Sequence, residues 1–543
     1  MIKIIPQPYY SMEKSGKKVI NGESKVWCST KLKEHIELFK ELFPFIKSKN
    51  INLSESTKKE YDIELVFDKL QKEECYTIEC NEKHLKISTS TYSGMLYAMQ
   101  TLKQMLFFQL KKDEIEIPCF DIQDQPRFKY RGVQLDEARH FFGEESVKRL
   151  LRLMAFYKLN VLHWHLTDDQ GWRVEIEKYP KLIEIGSKRK DTNIHGWQST
   201  DMTGEPYEGY YTKAQIRDIV AYAQKLNITI IPEIDMPAHF AAAMAAYNWL
   251  GCREIPCEVH WFFGGRVPFS MKWKDWNRSA CPGKETTYEF IFNVIDEIAE
   301  LFPAKYFHIG GDEAPKDEWK KCPNCKKTME QNGLKNVEEL QGYFNNRIAK
   351  HLEEKGKSLI VWNEALKANN LDLSVIGQYW TPQYDPNVKK ELKRGRNFII
   401  SKHQAFYFDM SYCQYPLADT YNFEPTDKIV PRECESQILG VEGHLWSEWI
   451  PSREKLDMQL FPRALALAED GWSCKYDKNI KYFYERIPYH ETMLDNLGVN
   501  YAEKEIANPR GLIYRKKEVA KWMNCDQDRE LRRNDILKNK RNK

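Results

Sequence analysis

From Arg127 onward the chain alternates short apolar runs with amphipathic stretches, and this alternation restricts the fold more than any other feature. The runs are Tyr130–Leu135, Val161–Leu166, Ile228–Ile234, Tyr306–Ile309, Ser358–Trp362, Val375–Tyr379, Asn397–Ser401 and Leu439–Leu445. Helical spacing of apolar residues lies between several of them, over Glu145–Lys158, Thr212–Leu226, Thr286–Phe302 and Val337–Glu354. Strands separated by helices pair in parallel, because a crossover brings the chain back to the same end of the sheet. Eight such units over residues 127–473 predict a (β/α)8 TIM barrel with loop insertions. The competing open, doubly wound sheet requires a glycine-rich phosphate turn after its first strand. Here that strand runs into Asp136-Glu-Ala-Arg-His140, which has no such turn.

At 543 residues the chain is long enough for two or three domains. Residues 1–125 read as a small α+β domain, with strands at Ile63–Phe67, Cys75–Glu79 and Leu85–Ser88 and a helix over Ser93–Leu106. Asp124-Gln-Pro126 marks its end, since proline disfavours continuation of regular structure. The barrel then occupies 126–475, and 476–543 forms a C-terminal helical extension whose basic end, Arg529 to Lys543, reads as a solvated tail.

The chemistry concentrates at strand ends. His308-Ile-Gly-Gly-Asp-Glu313 places two adjacent carboxylates just beyond a buried strand. Such a pair costs repulsion and desolvation, and it suits a site where one acid stays protonated and the other charged. The other ends carry Asp136 and Arg139, Asp168 and Asp169, Asp235 and His239, Trp362 and Glu364, Trp380, then His403, Tyr407 and Asp409, then Trp446 and Glu448. In a barrel all of these converge on one mouth. Aromatic residues are 13% of the chain, with 15 Trp and 29 Tyr, and indole faces stack on sugar rings.

A net charge of +3 gives no field favouring nucleic acid or an anionic membrane, and no apolar run reaches a membrane span. The 13 cysteines are scattered, which fits reduced thiols, and with no evident signal peptide predicts a cytoplasmic protein. Cys322-Pro-Asn-Cys325 has no second pair at zinc spacing and reads as a turn flanking a helix, so no metal or cofactor is expected.

Several segments resemble glycoside hydrolase family 20, the β-N-acetylhexosaminidases: Arg131 to His140, Asn160 to Asp169, Pro232 to His239, His308 to Glu313, Gly440 to Glu448, and Pro462 to Glu469. The resemblance spans roughly residues 60–500 in order, and the N-terminal unit resembles the small domain preceding the barrel in that family. It implies exo-acting, retaining cleavage of terminal β-linked GlcNAc or GalNAc, assisted by the substrate's own acetamide. Glu313 is then the general acid, with a value raised by burial and by Asp312. Asp312 orients the acetamide, Tyr407 hydrogen-bonds its oxygen, and Asp235 with His239 forms a relay to Glu313. Arg139, Asp168, Asp409 and Glu448 hold sugar hydroxyls, while Trp362, Trp380 and Trp446 supply the apolar floor. A glycan or chitooligosaccharide is the expected partner, and a homodimer is compatible with this reading. Ala238 and Asn363 depart from residues common in the family, and the aromatic insertion Cys252 to Trp276 either lines outer subsites or packs as a loop.

Two other readings carry specific features. His163-Trp-His165 is the ligand spacing of a barrel metallohydrolase, although it falls on the second strand without a matching ligand series. A carbohydrate-binding protein on an enzyme scaffold would bind sugar without turnover.

Overall fold

The computed structural model describes residues 2–56, 59–195, 199–263, 279–524 and 526–541. Two compact units emerge. One comprises Met1–Arg131, Arg152–Asn160 and Ala468–Gly498; the other comprises Gly132–Leu151, Val161–Leu467 and Val499–Lys543.

The first unit is built on a seven-stranded mixed sheet. Ile63–Phe67, Tyr76–Cys80 and Leu85–Thr89 correspond to the expected strands, and the expected helix spans Tyr92–Leu106. Its first turn is capped by Thr91, whose hydroxyl accepts from the Gly94 N–H at 3.1 Å. Four strands escaped the sequence pattern: Tyr10–Asn21, Val26–Ser29, Ile51–Ser54 and Glu114–Asp124. Tyr10–Asn21 is mostly exposed along its length, so it carries little apolar alternation to read.

Eight parallel strands close into a barrel: Tyr130–Asp136, Val161–Asp168, Thr229–Ile234, Tyr306–His308, Ser358–Trp362, Ile376–Tyr379, Phe398–Ile400 and Ile438–Leu445. The eighth lies beside the first, and the first pairs with the second from Gly132↔Val161 to Asp136↔His165. Buried on both faces, these strands appear in sequence as continuous apolar runs. The long helices between them are Glu144–Phe156, Lys213–Lys225, Glu285–Leu301 and Val337–Glu354. Lys213–Lys225 begins with a capping box in which Thr212 and Gln215 satisfy each other's backbone N–H groups.

The barrel interior is not wholly apolar. Side chains alternate along a strand, so Trp164 packs on Tyr211 and Phe302 while His163 and His165 meet carboxylates. His165 Nδ1 is 2.5 Å from Glu233, His308 Nδ1 is 2.9 Å from Glu233, and His163 Nδ1 is 2.9 Å from Glu442. Burial raises the cost of the Glu233 charge, but the three histidines override it and hold the carboxyl well below its usual value.

The basic end is not a loose tail. Residues Arg529–Arg541 form a helix. Its buried Glu530 accepts from the Ser411 hydroxyl at 2.7 Å and from the Tyr412 and Cys413 N–H groups at 3.2 Å. No helix among the described residues is long and apolar enough to cross a membrane.

Candidate active site

The acidic pair owes its position to two glycines. After Tyr306–His308 the chain turns through Gly310 and Gly311, both left-handed at φ +66° and +91°. A Cβ on Gly310 would lie 1.7 Å from Asp235 Oδ1, so only glycine lets this turn cross the end of the third strand. Gly310→Ala is therefore expected to lower stability by at least about 1–3 kcal/mol, seen as a lower Tm, and to remove activity by displacing the acids. A variant with parental Tm and turnover would contradict this.

Beyond the turn Asp312 is mostly buried and Glu313 is exposed, with side-chain exposures of 15% and 61%. Glu313 itself has φ +45°, a strained conformation held in part by its N–H bond to Glu364 Oε2 at 3.2 Å. Burial pushes the Asp312 carboxyl up to about 7, with Glu313 and Glu364 adding to the rise and His239 opposing it. Glu313 moves the other way, because the His239 hydrogen bond holds it below its ordinary value despite partial burial. The expected assignment is thus reversed in the free protein: the raised carboxyl belongs to Asp312.

His239 follows the third strand and is also left-handed, at φ +50°. Its Nε2 lies 3.5 Å from Glu313 Oε2 and 3.8 Å from Asp312 Oδ2. Its Nδ1 faces Asp168 Oδ1 at 3.2 Å. Burial opposes its charge, but Asp168, Glu313 and Asp312 prevail and hold it well above the usual imidazole value. The contacts therefore run Asp168–His239–Glu313, and the acid hydrogen-bonded to His239 is Asp168 rather than the expected Asp235. Asp235 instead accepts from the Gly311 N–H at 3.4 Å and supports the turn beneath Asp312.

Asp168 was expected to hold a sugar hydroxyl, yet it is buried and occupied. Its Oδ2 meets Arg139 at 2.7 Å and His165 Nε2 at 3.0 Å, and its Oδ1 accepts from the Asp169 N–H at 2.6 Å. Burial opposes its charge too, but Arg139 and then His239 keep it well below the usual carboxylate range. Arg139 also donates to Asp136 at 3.1 Å and Gln170 at 2.9 Å, and its guanidinium lies 5.4 Å from the Trp446 ring. Glu448 and Asp409 are both raised by burial, and each is close enough to other acids for repulsion to add.

The aromatic groups form a connected wall. Trp362 is buried, anchored by Nε1 to Glu233 at 3.0 Å, with its ring 5.9 Å from Trp446. Tyr407 stacks on Trp380 at 5.8 Å and lies 6.4 Å from Trp446. Among the described residues, three buried polar atoms here lack a hydrogen-bond partner: Asp312 Oδ1, Asp409 Oδ1 and Trp380 Nε1. Unpaired buried polar atoms are costly, and a polar ligand in this mouth would complete the bonding of these three. From the aromatic insertion, Phe262 and Phe263 are buried, Phe263 packs on Trp449, and the His260 N–H donates to the Asp169 carbonyl. The insertion therefore begins as a packed loop, and residues 264–278 lie outside the described residues.

Residues 128–475 match Glycosyl hydrolase family 20, catalytic domain, and residues 1–125 match Glycosyl hydrolase family 20, domain 2. The chain belongs to glycosyl hydrolase family 20. A beta-hexosaminidase of Porphyromonas gingivalis is 38% identical over 448 residues, covering 79% of this chain and 55% of the relative. One from Vibrio furnissii is 33% identical, covering 74% and 66%. The chain thus spans between half and two thirds of these two relatives' lengths. Among solved structures, the family 20 exo beta-N-acetylglucosaminidase of Vibrio harveyi in complex with N-acetylglucosamine superposes with TM-score 0.77 at 32% identity, covering 92% of this chain and 78% of that one. The beta-N-acetylhexosaminidase of Bacteroides fragilis gives TM-score 0.78 at 28% identity, covering 93% and 99%.

Sequence reasoning gave no role to Asp136, Asp169, Gln170 or Glu364. All but Gln170 were visible as strand-end acids; what they bond to was not.

Proposed function

We propose that this member of family 20 is an exo-acting β-N-acetylhexosaminidase that removes terminal, non-reducing β-linked GlcNAc or GalNAc with retention at C1. The observation that carries the reading is the unpartnered Asp312 Oδ1 beside Glu313 above an aromatic wall. A carboxylate oxygen in that setting accepts the N–H of a 2-acetamido group. The acetamide methyl then meets the indoles, and the Tyr407 hydroxyl donates to the acetamide oxygen.

In the first step Glu313 donates its proton to the glycosidic oxygen, the C1–O bond breaks, and the acetamide oxygen attacks C1 from the opposite face. The product is an oxazolinium ion, whose positive charge Asp312 offsets. Because the nucleophile is tethered, the step has the advantage of a high effective concentration. Water then attacks C1 from the first face as Glu313 takes its proton, and two inversions leave the configuration unchanged. Arg139 uses its Nε, NH1 and NH2 on Gln170, Asp136 and Asp168. In this reading its remaining N–H groups, with Glu448 and Asp409, hold the hydroxyls of a terminal ring.

In the free protein burial raises Asp312 while the His239 hydrogen bond holds Glu313 low, so a single proton on this pair favours Asp312. Docking of the acetamide N–H on Asp312 lowers that group, while the sugar excludes water from Glu313 and raises it, so the proton moves to the acid that uses it.

A panel of p-nitrophenyl glycosides tests the reading. Release from N-acetyl-β-glucosaminide or N-acetyl-β-galactosaminide is expected, with β-glucoside turned over at least about 10³-fold more slowly, a loss within the range that a tethered nucleophile supplies. Equal rates on the sugar lacking the acetamide would refute assistance by the substrate, and sugar binding without turnover would identify a lectin-like protein.

A further inference from the structure

Four cysteines from three separate segments of the barrel unit meet among the loops that follow the third and fourth strands. Cys252 lies just after the turn Asn248–Leu250, and Cys281 lies just before the helix Glu285–Leu301. Cys322 caps the helix Pro323–Gln331, and Cys325 stands in its first turn. The Sγ atoms of Cys252 and Cys325 are 3.7 Å apart, those of Cys281 and Cys325 are 3.6 Å apart, and those of Cys281 and Cys322 are 3.8 Å apart. All four lie within 4.8 Å of one another, and no two are bonded.

We propose that Cys252, Cys281, Cys322 and Cys325 bind a structural zinc ion. A disulfide holds its sulfurs at about 2.05 Å, far closer than any pair here. Four thiolates at about 2.3 Å from a tetrahedral zinc have edges of about 3.8 Å, which is the spacing of the three close contacts. Four sulfur ligands leave no open position, so the ion holds structure and takes no part in the reaction.

The surroundings suit a zinc–thiolate centre. Cys281, Cys322 and Cys325 are buried with Trp319 and Leu340, so the sulfurs are shielded. The start of the helix Pro323–Gln331 presents its positive end to the sulfurs, and this favours thiolates. Gly283 lets the segments close: a Cβ there would lie 2.4 Å from both Asn324 C and Cys325 N. At the base of the excursion between Cys252 and Cys281, Gly251 bridges Ala280, and the Cys281 N–H donates to the Leu250 carbonyl at 2.8 Å. The ligands thus arise from a loop closed on itself and from one helix start. That explains why the sequence showed only Cys322-Pro-Asn-Cys325. The ion ties the loop that carries His239 to the loop that carries Asp312 and Glu313. This site is independent of the glycosidase reading.

The test is the metal content of the full chain, purified with a thiol reductant and without chelator. About one equivalent of zinc per chain is expected, as a single four-thiolate site requires. Titration with an organomercurial in the presence of a zinc-sensitive dye should release the zinc as four protected thiols react. Replacement by Co(II) should give the thiolate charge-transfer absorption of a tetrahedral site. Cys325→Ser should lose the zinc and Cys474→Ser should keep it; if Cys325→Ser does not fold, the mercurial titration of the parent protein decides. Absence of metal, iron in place of zinc, a disulfide among the four in a peptide map, or zinc release without reaction of these thiols would each overturn the proposal.

Discussion

Glu313→Gln is expected to lower kcat on chitobiose by roughly 10²–10⁴-fold, the range that general acid–base assistance supplies. The amide keeps the size of the side chain and a hydrogen bond to His239, but it has no proton acidic enough for a sugar leaving group and no lone pair basic enough to activate water. Leaving-group dependence separates this role from a structural one. An aryl glycoside with an activated phenol needs little protonation, so its first step suffers far less than that of chitobiose. A uniform loss on both substrates would indicate a disturbed fold. A loss of less than twofold on chitobiose would remove Glu313 from the reaction. The exposure of Glu313 makes folding of the variant a small concern, since its side chain is 61% accessible.

Asp312→Asn should cost about 10²–10³-fold in kcat, comparable to removing one preorganised electrostatic partner of a transition state, while retaining measurable binding of GlcNAc. Asparagine can still accept the acetamide N–H but cannot neutralise the oxazolinium charge. The same substitution should raise stability at pH 8. A carboxyl whose value is raised from 3.8 to about 7 on folding favours the native state while it is protonated. That contribution is complete below pH 4 and is lost as the pH climbs through 7. Asparagine avoids the buried charge, so its Tm advantage should be present at pH 8 and close toward pH 4. In the parent enzyme kcat/KM should fall as the pH rises above about 7 and the pair loses its single proton, and this limb should shift in the variant. An unchanged limb together with an unchanged Tm difference across pH would show that Asp312 does not carry the raised value.

The cooperation of these acids depends on contacts between loops that are remote in sequence. Asp168 leaves the second strand, His239 follows the third and Glu313 follows the fourth, and only barrel closure sets them in one line. The motif from His308 to Glu313 was readable because its glycines and acids are contiguous. The partner of His239 was not, because Asp235 and Asp168 are both acids at strand ends, and hydrophobic pattern says nothing of which one faces a ring nitrogen. The order of the two carboxyl values was hidden for the same reason. It depends on which acid is buried and which one touches the imidazolium.

By itself the sequence determined the barrel, through eight apolar runs spaced by amphipathic helices, and it identified the chemical groups at the mouth. Both are local properties, set by side-chain periodicity and by residue type at the end of each run. Tertiary structure alone decided the Asp168–His239–Glu313 line, the raised Asp312, the docked C-terminal helix and the four-sulfur cluster. Each of these depends on distances across the fold and on exclusion of water, which arise only when distant segments pack together.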